Sequence, residues 1–292
     1  MIMKWIFRRL YRPSSCGIGR VDCERGMSDY VFGIHRGLKV INFFKRNGIK
    51  LEKSFVLDIG CNKGGIDIAF SPFCRRIVAG DIDVERLKVA KARFKARRIK
   101  NIDLIRFDGS KLPFKRGVFR LVIINGVLEW IPWKHQEKPR DIQIRSLKEV
   151  YYVLKLKGLL YLAIENRLFP GYLIIDPHIG LPLTALVPRF IADLITRSIL
   201  GFPYKNYIYS YWELMYLLMK TGFKRVEVFV GIPSYQFPLE IIPVHCSNKD
   251  FSKAITRASR SKLIISLINL IVITRTLRIF WPNFIVLAQK SR

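Results

Sequence analysis

The stretch "SFVLDIGCNKGGIDIAF", residues 54–70, constrains the fold more than any other part of the chain. An apolar β-type run, Phe55-Val56-Leu57, ends on Asp58. Gly60 and Gly64 then bracket Cys61-Asn62-Lys63, Gly65 follows, and an apolar run resumes. A strand that passes through a glycine turn into a helix puts backbone N–H groups and a helix N-terminus at the carboxyl edge of a sheet, where open α/β sheets bind their ligands. Glycine there permits positive φ and lets a ligand approach the backbone. Alone, the D-x-G-x-x-x-G spacing also fits a plain tight turn between strand and helix.

The segments around it repeat the theme. Residues 30–49 place Val31, Ile34, Leu38, Ile41 and Phe44 at helical spacing and stop at Asn47-Gly48. Beyond Ser54–Ile59, a strand, Ile66–Phe70 opens a helix. Arg76–Ala79 reads as a strand leading to Asp81, and Asp83 is placed as N-cap of a helix over Val84–Arg98. Ile102–Phe107 and Phe119–Asn125 read as strands, Arg140–Leu154 as a helix and Gly158–Ile164 as a further strand. This alternation predicts an α/β fold with a parallel sheet and helices on both faces.

After residue 165 the rhythm breaks. "ENRLFPGYLIIDPHIGLPLTALVPRF" carries four prolines and no steady period, which suits a lid or substrate loop better than a linker. Order returns with the helix "YWELMYLLMKTGF", the strand "KRVEVFV", a Pro-rich segment to Ile242 and a last strand "NFIVLAQ". The expected division is an N-terminal extension and helix over 1–50 and one domain over 51–292, with 165–212 inserted as a cap.

The charge is unusual: 51 Lys+Arg against 22 Asp+Glu give a formal net charge of +29. That excess suits phosphate-rich partners, an anionic membrane surface or nucleic acid, and equally a solvated basic face. The helix at 84–98, with eight basic residues through Lys100, reads most simply as such a face, and no aromatic-interleaved RNA-binding signature accompanies it. Five cysteines (Cys16, Cys23, Cys61, Cys74, Cys246) form no CxxC pair. A reducing compartment is therefore expected, and neither a disulfide framework nor structural zinc. "MIMKWIFRRLYR" lacks the apolar core of a signal peptide. "LIISLINLIVIT" (263–274) is free of charge for only 12 residues, short of the roughly 20 that span a bilayer. It fits a buried helix or a lipid-facing surface helix. The expected location is cytoplasmic or peripheral at a membrane.

Four motifs in order, each at a strand end, carry the chemistry: Asp58 with its glycines, Asp81 in "IVAGDID", Asp108 in "RFDGSKLPF", and Asn125-Gly126 in "LVIINGVLEWIP". An acid closing the second strand is placed to accept both hydroxyls of a ribose. A nicotinamide fingerprint, G-x-G-x-x-G, competes, but Asn62 stands where its second glycine belongs.

The ordered set, completed by "VLKLKGLLYLAIENR", resembles the class I S-adenosylmethionine-dependent methyltransferases. The segments "LEWIP", "AIENR", "HIGLP" and "YSYWEL" are similar to methyltransferase domains that accompany glycosyltransferases. The resemblance implies a Rossmann-like, seven-stranded mixed sheet with its last strand antiparallel, and S-adenosyl-L-methionine as cofactor. It implies that Asp58, Gly60 and Gly64 surround the methionine part, Asp81 holds the ribose, Ile82 packs on the adenine and Asp108 accepts from its amino group. Asn125 and Gly126 line the sulfonium end, and Cys61, Asn62 and Gly109 complete the cofactor-binding set. The family usually has Gly where Asn62 stands, and Asn is the non-glycine residue that best tolerates a left-handed backbone.

A hydroxyl acceptor must lose its proton, and the expected catalytic residues are His178 and Glu129, with Glu165 and Asp176 as further candidates. Tyr209, Tyr211 and Trp212 are candidates for walling the acceptor pocket. The expected acceptor is a small molecule, a glycan or a lipid-linked sugar. An RNA methyltransferase and a non-catalytic partner subunit are the alternatives, and intact Asp58, Asp81 and Asp108 argue against the latter.

Overall fold

The computed structural model describes residues 24–258 and 275–291. The basic start of the chain, Cys16, Cys23 and the apolar stretch 263–274 lie outside the described residues. A long helix, α1 (Glu24–Arg46), precedes the alternation of β1 (Phe55–Ile59), α2 (Gly65–Phe70), β2 (Arg76–Asp81), α3 (Val84–Ala96), β3 (Ile102–Arg106), β4 (Phe119–Asn125), α4 (Pro139–Val153) and β5 (Leu154–Glu165). After a 45-residue excursion containing α5 (Arg189–Leu200) come α6 (Tyr211–Lys220), β6 (Arg225–Ser234), β7 (Phe237–Pro243), α7 (Asn248–Ala258) and β8 (Asn283–Gln289).

The strands form one sheet in the order β3-β2-β1-β4-β5-β8-β6-β7. β1 pairs in parallel with β2 on one side and β4 on the other, so the strand order reverses between β1 and β4 and opens a crevice at their carboxyl ends. β8 slots antiparallel between β5 and β6. Among the described residues the sheet therefore has eight strands where the resemblance implies seven. The addition is β7, antiparallel to β6, in the segment whose Pro238 and Pro243 argue against a strand. Proline is tolerated there because β7 is an edge and needs ladder N–H groups on one side only.

Alternate residues of each strand face opposite layers. Leu57, Ile59, Val122, Ile124, Leu160 and Leu162 meet one apolar layer, which includes Leu147 and Val150 of α4, Leu214 and Leu217 of α6 and Phe251 and Ile255 of α7. Val56, Leu121, Ile123, Tyr161 and Ala163 face the other, built on Val40, Ile41, Phe43 and Phe44 of α1. α1 lies unusually close to α2: a Cβ added at Gly65 would stand 2.8 Å from the Cα of Gly33, and one at Gly37 would stand 2.5 Å from the Cβ of Ala69. The second glycine of "NKGG" is thus a helix-packing residue.

The excursion 166–210 is anchored by the two residues that follow Glu165. Asn166 donates its side-chain amide to the carbonyls of Ile279 and Trp281 (2.6 and 2.7 Å). Arg167 donates to the Ala185 and Val187 carbonyls and pairs with Glu213 at 2.8 Å. A regular helix, α5, stands inside this segment, where prolines rather than periodicity dominate the sequence; Pro188 sits at its N-cap, where a missing N–H costs nothing. No helix among the described residues is long and apolar enough to cross a membrane.

Candidate functional site

The turn after β1 takes the left-handed backbone that its sequence allows, with φ of 80° at Gly60, 51° at Asn62 and 75° at Gly64. Its N–H groups are used within the protein rather than presented outward as the glycine pattern suggests. Those of Gly60 and Cys61 donate to the Gly80 carbonyl (2.7 and 2.9 Å), and that of Gly64 donates to the Cys61 carbonyl (3.0 Å). The space a Cβ would need at Gly60 is filled by Val127 and at Gly64 by Phe94, so these glycines also answer to packing. Cys61 is buried, and burial pushes its thiol well above the usual range, which leaves it unreactive.

Asp81 ends β2 beside this turn and is nearly buried. One carboxylate oxygen accepts from the Asn62 N–H at 2.9 Å and the other from the Asp83 N–H at 3.0 Å. The two bonds fix the carboxylate and leave lone pairs on both oxygens for neighbouring hydroxyls. Asp83 caps α3 as expected, accepting from Glu85 N–H at 2.9 Å. Ile82 lines a shallow groove with Arg106 and Lys134. Asp108, past β3, accepts from the Ser110 N–H at 2.8 Å and lies 2.9 Å from Nε2 of His135. Sequence reasoning misses that histidine. Gly109 has no room for a side chain beside Ile131 and Ile59. At the end of β4 the buried Asn125 amide has neither its nitrogen nor its oxygen hydrogen-bonded. A Cβ on Gly126 would lie 2.4 Å from the Tyr235 hydroxyl.

Asp58 and Asp67, on β1 and α2, are buried neighbours. Burial, then the Asp67 charge, push Asp58 well above the usual carboxylate range, and burial pushes Asp67 up to about 7. Arg36 of α1 opposes this by its charge on Asp58, and its Nε donates to the Gln236 carbonyl at 2.8 Å. Neither Asp67 nor Arg36 is flagged by the motifs. Asp67 ionises near 3.8 when unfolded, so the folded state holds the extra proton between about pH 4 and pH 7. The associated stability is full below pH 4 and is lost as pH rises to 7. Asp67→Asn is therefore expected to raise Tm by about 4 °C at pH 8, with a smaller gain at pH 5, in thermal melts followed by circular dichroism. A gain that is larger at pH 5 would contradict it.

A second cluster lies where β4, β5 and the 166–210 segment meet. Glu129, Glu165 and His178 bring one side-chain donor atom each within 4.8 Å of one another. Asp176 holds His178 Nδ1 at 2.9 Å and in turn accepts from Thr184 Oγ1 at 3.0 Å. Burial by itself would lower the His178 pKa, but Asp176, Glu165 and Glu129 push it up to about 11. Burial and the nearby Glu165 raise Glu129 well above its ordinary value. Tyr235 donates its hydroxyl to Glu165 Oε1 at 2.7 Å, and Trp130 lies against the His178 ring at 5.5 Å. The structure thus assembles the four sequence candidates His178, Glu129, Glu165 and Asp176. The aromatic candidates go elsewhere: Tyr209 donates to buried Gln143, Tyr211 meets His245 at 3.0 Å, and Trp212 is exposed.

Residues 57–162 match a family model described as a methyltransferase domain. Among solved structures, a SAM-dependent methyltransferase from Aquifex aeolicus superposes with a TM-score of 0.50 at 14% identity, over 93% of this chain and 100% of that one. A SAM-dependent methyltransferase from Methanosarcina mazei gives 0.50 at 16% identity, over 85% and 96%. The YcgJ protein of Bacillus subtilis gives 0.50 at 16% identity, over 88% and 99%. At such identities the likeness is one of fold. No curated protein matches the chain by sequence.

Proposed function

We propose that this chain, a class I S-adenosyl-L-methionine-dependent methyltransferase by fold and by its methyltransferase domain, methylates a hydroxyl of a glycan or lipid-linked sugar met at an anionic membrane surface. The residues present suit the cofactor. Asp81 has an oriented carboxylate for the ribose hydroxyls, Ile82 borders a groove for the adenine, and Asn125 has an unpaired amide at the strand end. Asp58 and the turn Gly60–Gly64 form the methionine end, Asp108 and Gly109 the adenine end, and Asn125-Gly126 the reacting end. When bound, S-adenosylmethionine supplies an activated methyl on a sulfonium, and the carbon–sulfur bond pair returns to sulfur as the acceptor oxygen takes the methyl. The protein's part is to hold the acceptor in line and dry. Tyr235 connects this cluster to the reacting end, since its hydroxyl donates to Glu165 and lies where a Cβ on Gly126 would stand, and Glu129 and His178 gather with Glu165.

The observation that carries the acceptor reading is the outer surface of the 166–210 segment. It turns Asp176 and His178 inward yet leaves Phe190 75%, Ile174 70% and Leu194 65% exposed, and Leu173 and Ile199 are exposed as well. So many exposed apolar side chains on one segment of a chain of net charge +29 suit anionic lipid. Labelled methyl from S-adenosylmethionine, offered to separated RNA, protein, lipid and small-molecule fractions, is expected in the lipid extract, and flotation with liposomes is expected to require anionic lipid. Label in RNA would replace this reading with an RNA methyltransferase. No label anywhere, with no binding of S-adenosylhomocysteine, would leave a non-catalytic partner subunit.

A further inference from the structure

We propose that Glu129, Glu165 and His178 bind one divalent metal ion at the acceptor edge of the cofactor pocket. The three residues come from three parts of the fold: the segment after β4, the end of β5 and the 166–210 excursion. They converge with donor atoms within 4.8 Å of one another. Ligand atoms around a single ion at about 2.1 Å stand roughly 3–4.2 Å apart, so side-chain movements of under about an ångström would close the site.

Two of the ligands offer electron pairs directly, and His178, which its carboxylate neighbours hold protonated, gives up its Nε2 proton as an ion enters. Glu129 is fully buried, and neither of its carboxylate oxygens has a hydrogen-bond partner among the described residues; Glu165 Oε2 is likewise buried, with His178 Nε2 3.6 Å away. Three such oxygens at one point are costly unless positive charge offsets them; protonated His178 supplies one such charge, and a divalent ion that displaces its proton would supply two.

The surroundings have the build of a coordination sphere. Asp176 accepts from His178 Nδ1 at 2.9 Å and is itself held by Thr184 Oγ1 at 3.0 Å and the His178 N–H at 3.0 Å. This fixes the imidazole with Nε2 directed at Glu165 Oε2, 3.6 Å away. Glu165 Oε1 is held by Tyr235 (2.7 Å) and Gln236 (3.3 Å), leaving Oε2 for the ion. Carboxylate–imidazole orientation of this kind is the usual outer shell of a metal-bound histidine. Three carboxylates, Glu129, Glu165 and Asp176, gather round the one imidazole, and Arg36 contributes a positive charge to Glu165 from α1. One imidazole and two carboxylates without a thiolate suit Mn²⁺, Mg²⁺ or Zn²⁺ rather than a soft ion.

With three protein ligands the ion retains open positions. In the methyltransferase reading, on which this last role rests, an acceptor hydroxyl fills one of them. Its proton leaves to solvent water, its oxygen–carbon bond forms as the carbon–sulfur bond breaks, and the sulfur becomes a neutral thioether. The sequence expectation of no structural zinc concerned four ligands at close spacing. This site has three, separated by 36 and 13 residues.

The test uses the full chain, freed of metal with chelator and titrated with Mn²⁺ followed by electron paramagnetic resonance. One tight Mn²⁺ per chain is expected. Glu129→Gln and His178→Ala should each weaken it at least about 30-fold, and Asp176→Asn about 10-fold. Calorimetry with S-adenosylhomocysteine on the same samples separates this site from the methyltransferase reading: Mn²⁺ binding without nucleoside binding would keep the ion site and remove its catalytic role. Failure of Mn²⁺, Mg²⁺ and Zn²⁺ alike to bind at millimolar concentration would overturn the proposal. So would Mn²⁺ affinity unchanged in the isosteric Glu129→Gln, a variant that keeps the side-chain volume should His178→Ala not fold.

Discussion

Asp81→Ala is expected to weaken binding of S-adenosylhomocysteine at least about 100-fold in calorimetry, with the far-ultraviolet circular dichroism unchanged. The proposed ribose contact is two hydrogen bonds to an ionised carboxylate, each contributing roughly 1.5–3 kcal/mol, and every 1.4 kcal/mol is about tenfold in affinity. The alanine also removes the acceptors of the Asn62 and Asp83 N–H groups, loosening the turn proposed to form the methionine end. Asp81→Asn should fall between the two, because it keeps the volume and one acceptor but loses the charge. An affinity within fivefold of the parent chain would place the ribose elsewhere.

The second large effect concerns Gln143, a wholly buried residue of α4. Its amide nitrogen donates to the Leu128 carbonyl at 3.0 Å and to the Tyr207 carbonyl at 2.8 Å, and its oxygen accepts from the Tyr209 hydroxyl. One side chain thereby ties the helix, the turn after β4 and the returning limb of the 166–210 segment. Gln143→Leu would leave three buried polar groups without partners, at roughly 1–3 kcal/mol each. A loss of about 4 kcal/mol is expected in urea unfolding, with Tm lower by about 10 °C. A loss below about 1 kcal/mol would mean that water or local repacking satisfies all three.

Much of the sheet is legible in the sequence because its strands are buried on both faces and punctuated by acids and glycines. β4 falls on Phe119–Asn125 and β8 on Asn283–Gln289, as the apolar runs imply. β7 is hidden by its prolines, whose tolerance depends on lying at an edge, a tertiary fact. α5 is hidden for a related reason: four nearby prolines mask a helix whose exposed face is itself apolar. At the pocket, strand-end acids are visible because each closes a run of β-type residues. Arg36 and Asp67 are not visible, since a charge on a helix looks solvated until the helix is packed. Glu129 left a trace, a lone carboxylate inside the apolar "VLEWIP", and an acid so placed is either buried for a purpose or badly placed. Its partners Glu165 and His178 can be named individually from sequence, but only the fold brings their unpaired atoms together.

β7 has a consequence for assembly. A sheet recruits a second copy through the open ladder of an outermost strand. At this end that strand carries Pro238 and Pro243, and Arg46 and Arg257 both approach Glu240 of the same strand, at 3.4 and 3.9 Å. Proline and side chains from two helices make this rim a poor template for edge-to-edge pairing. The opposite rim, β3, contains no proline and is half-buried along most of its length. Any association of copies through main-chain pairing would therefore be one-ended, joining β3 to β3 and closing as a pair instead of growing into a filament.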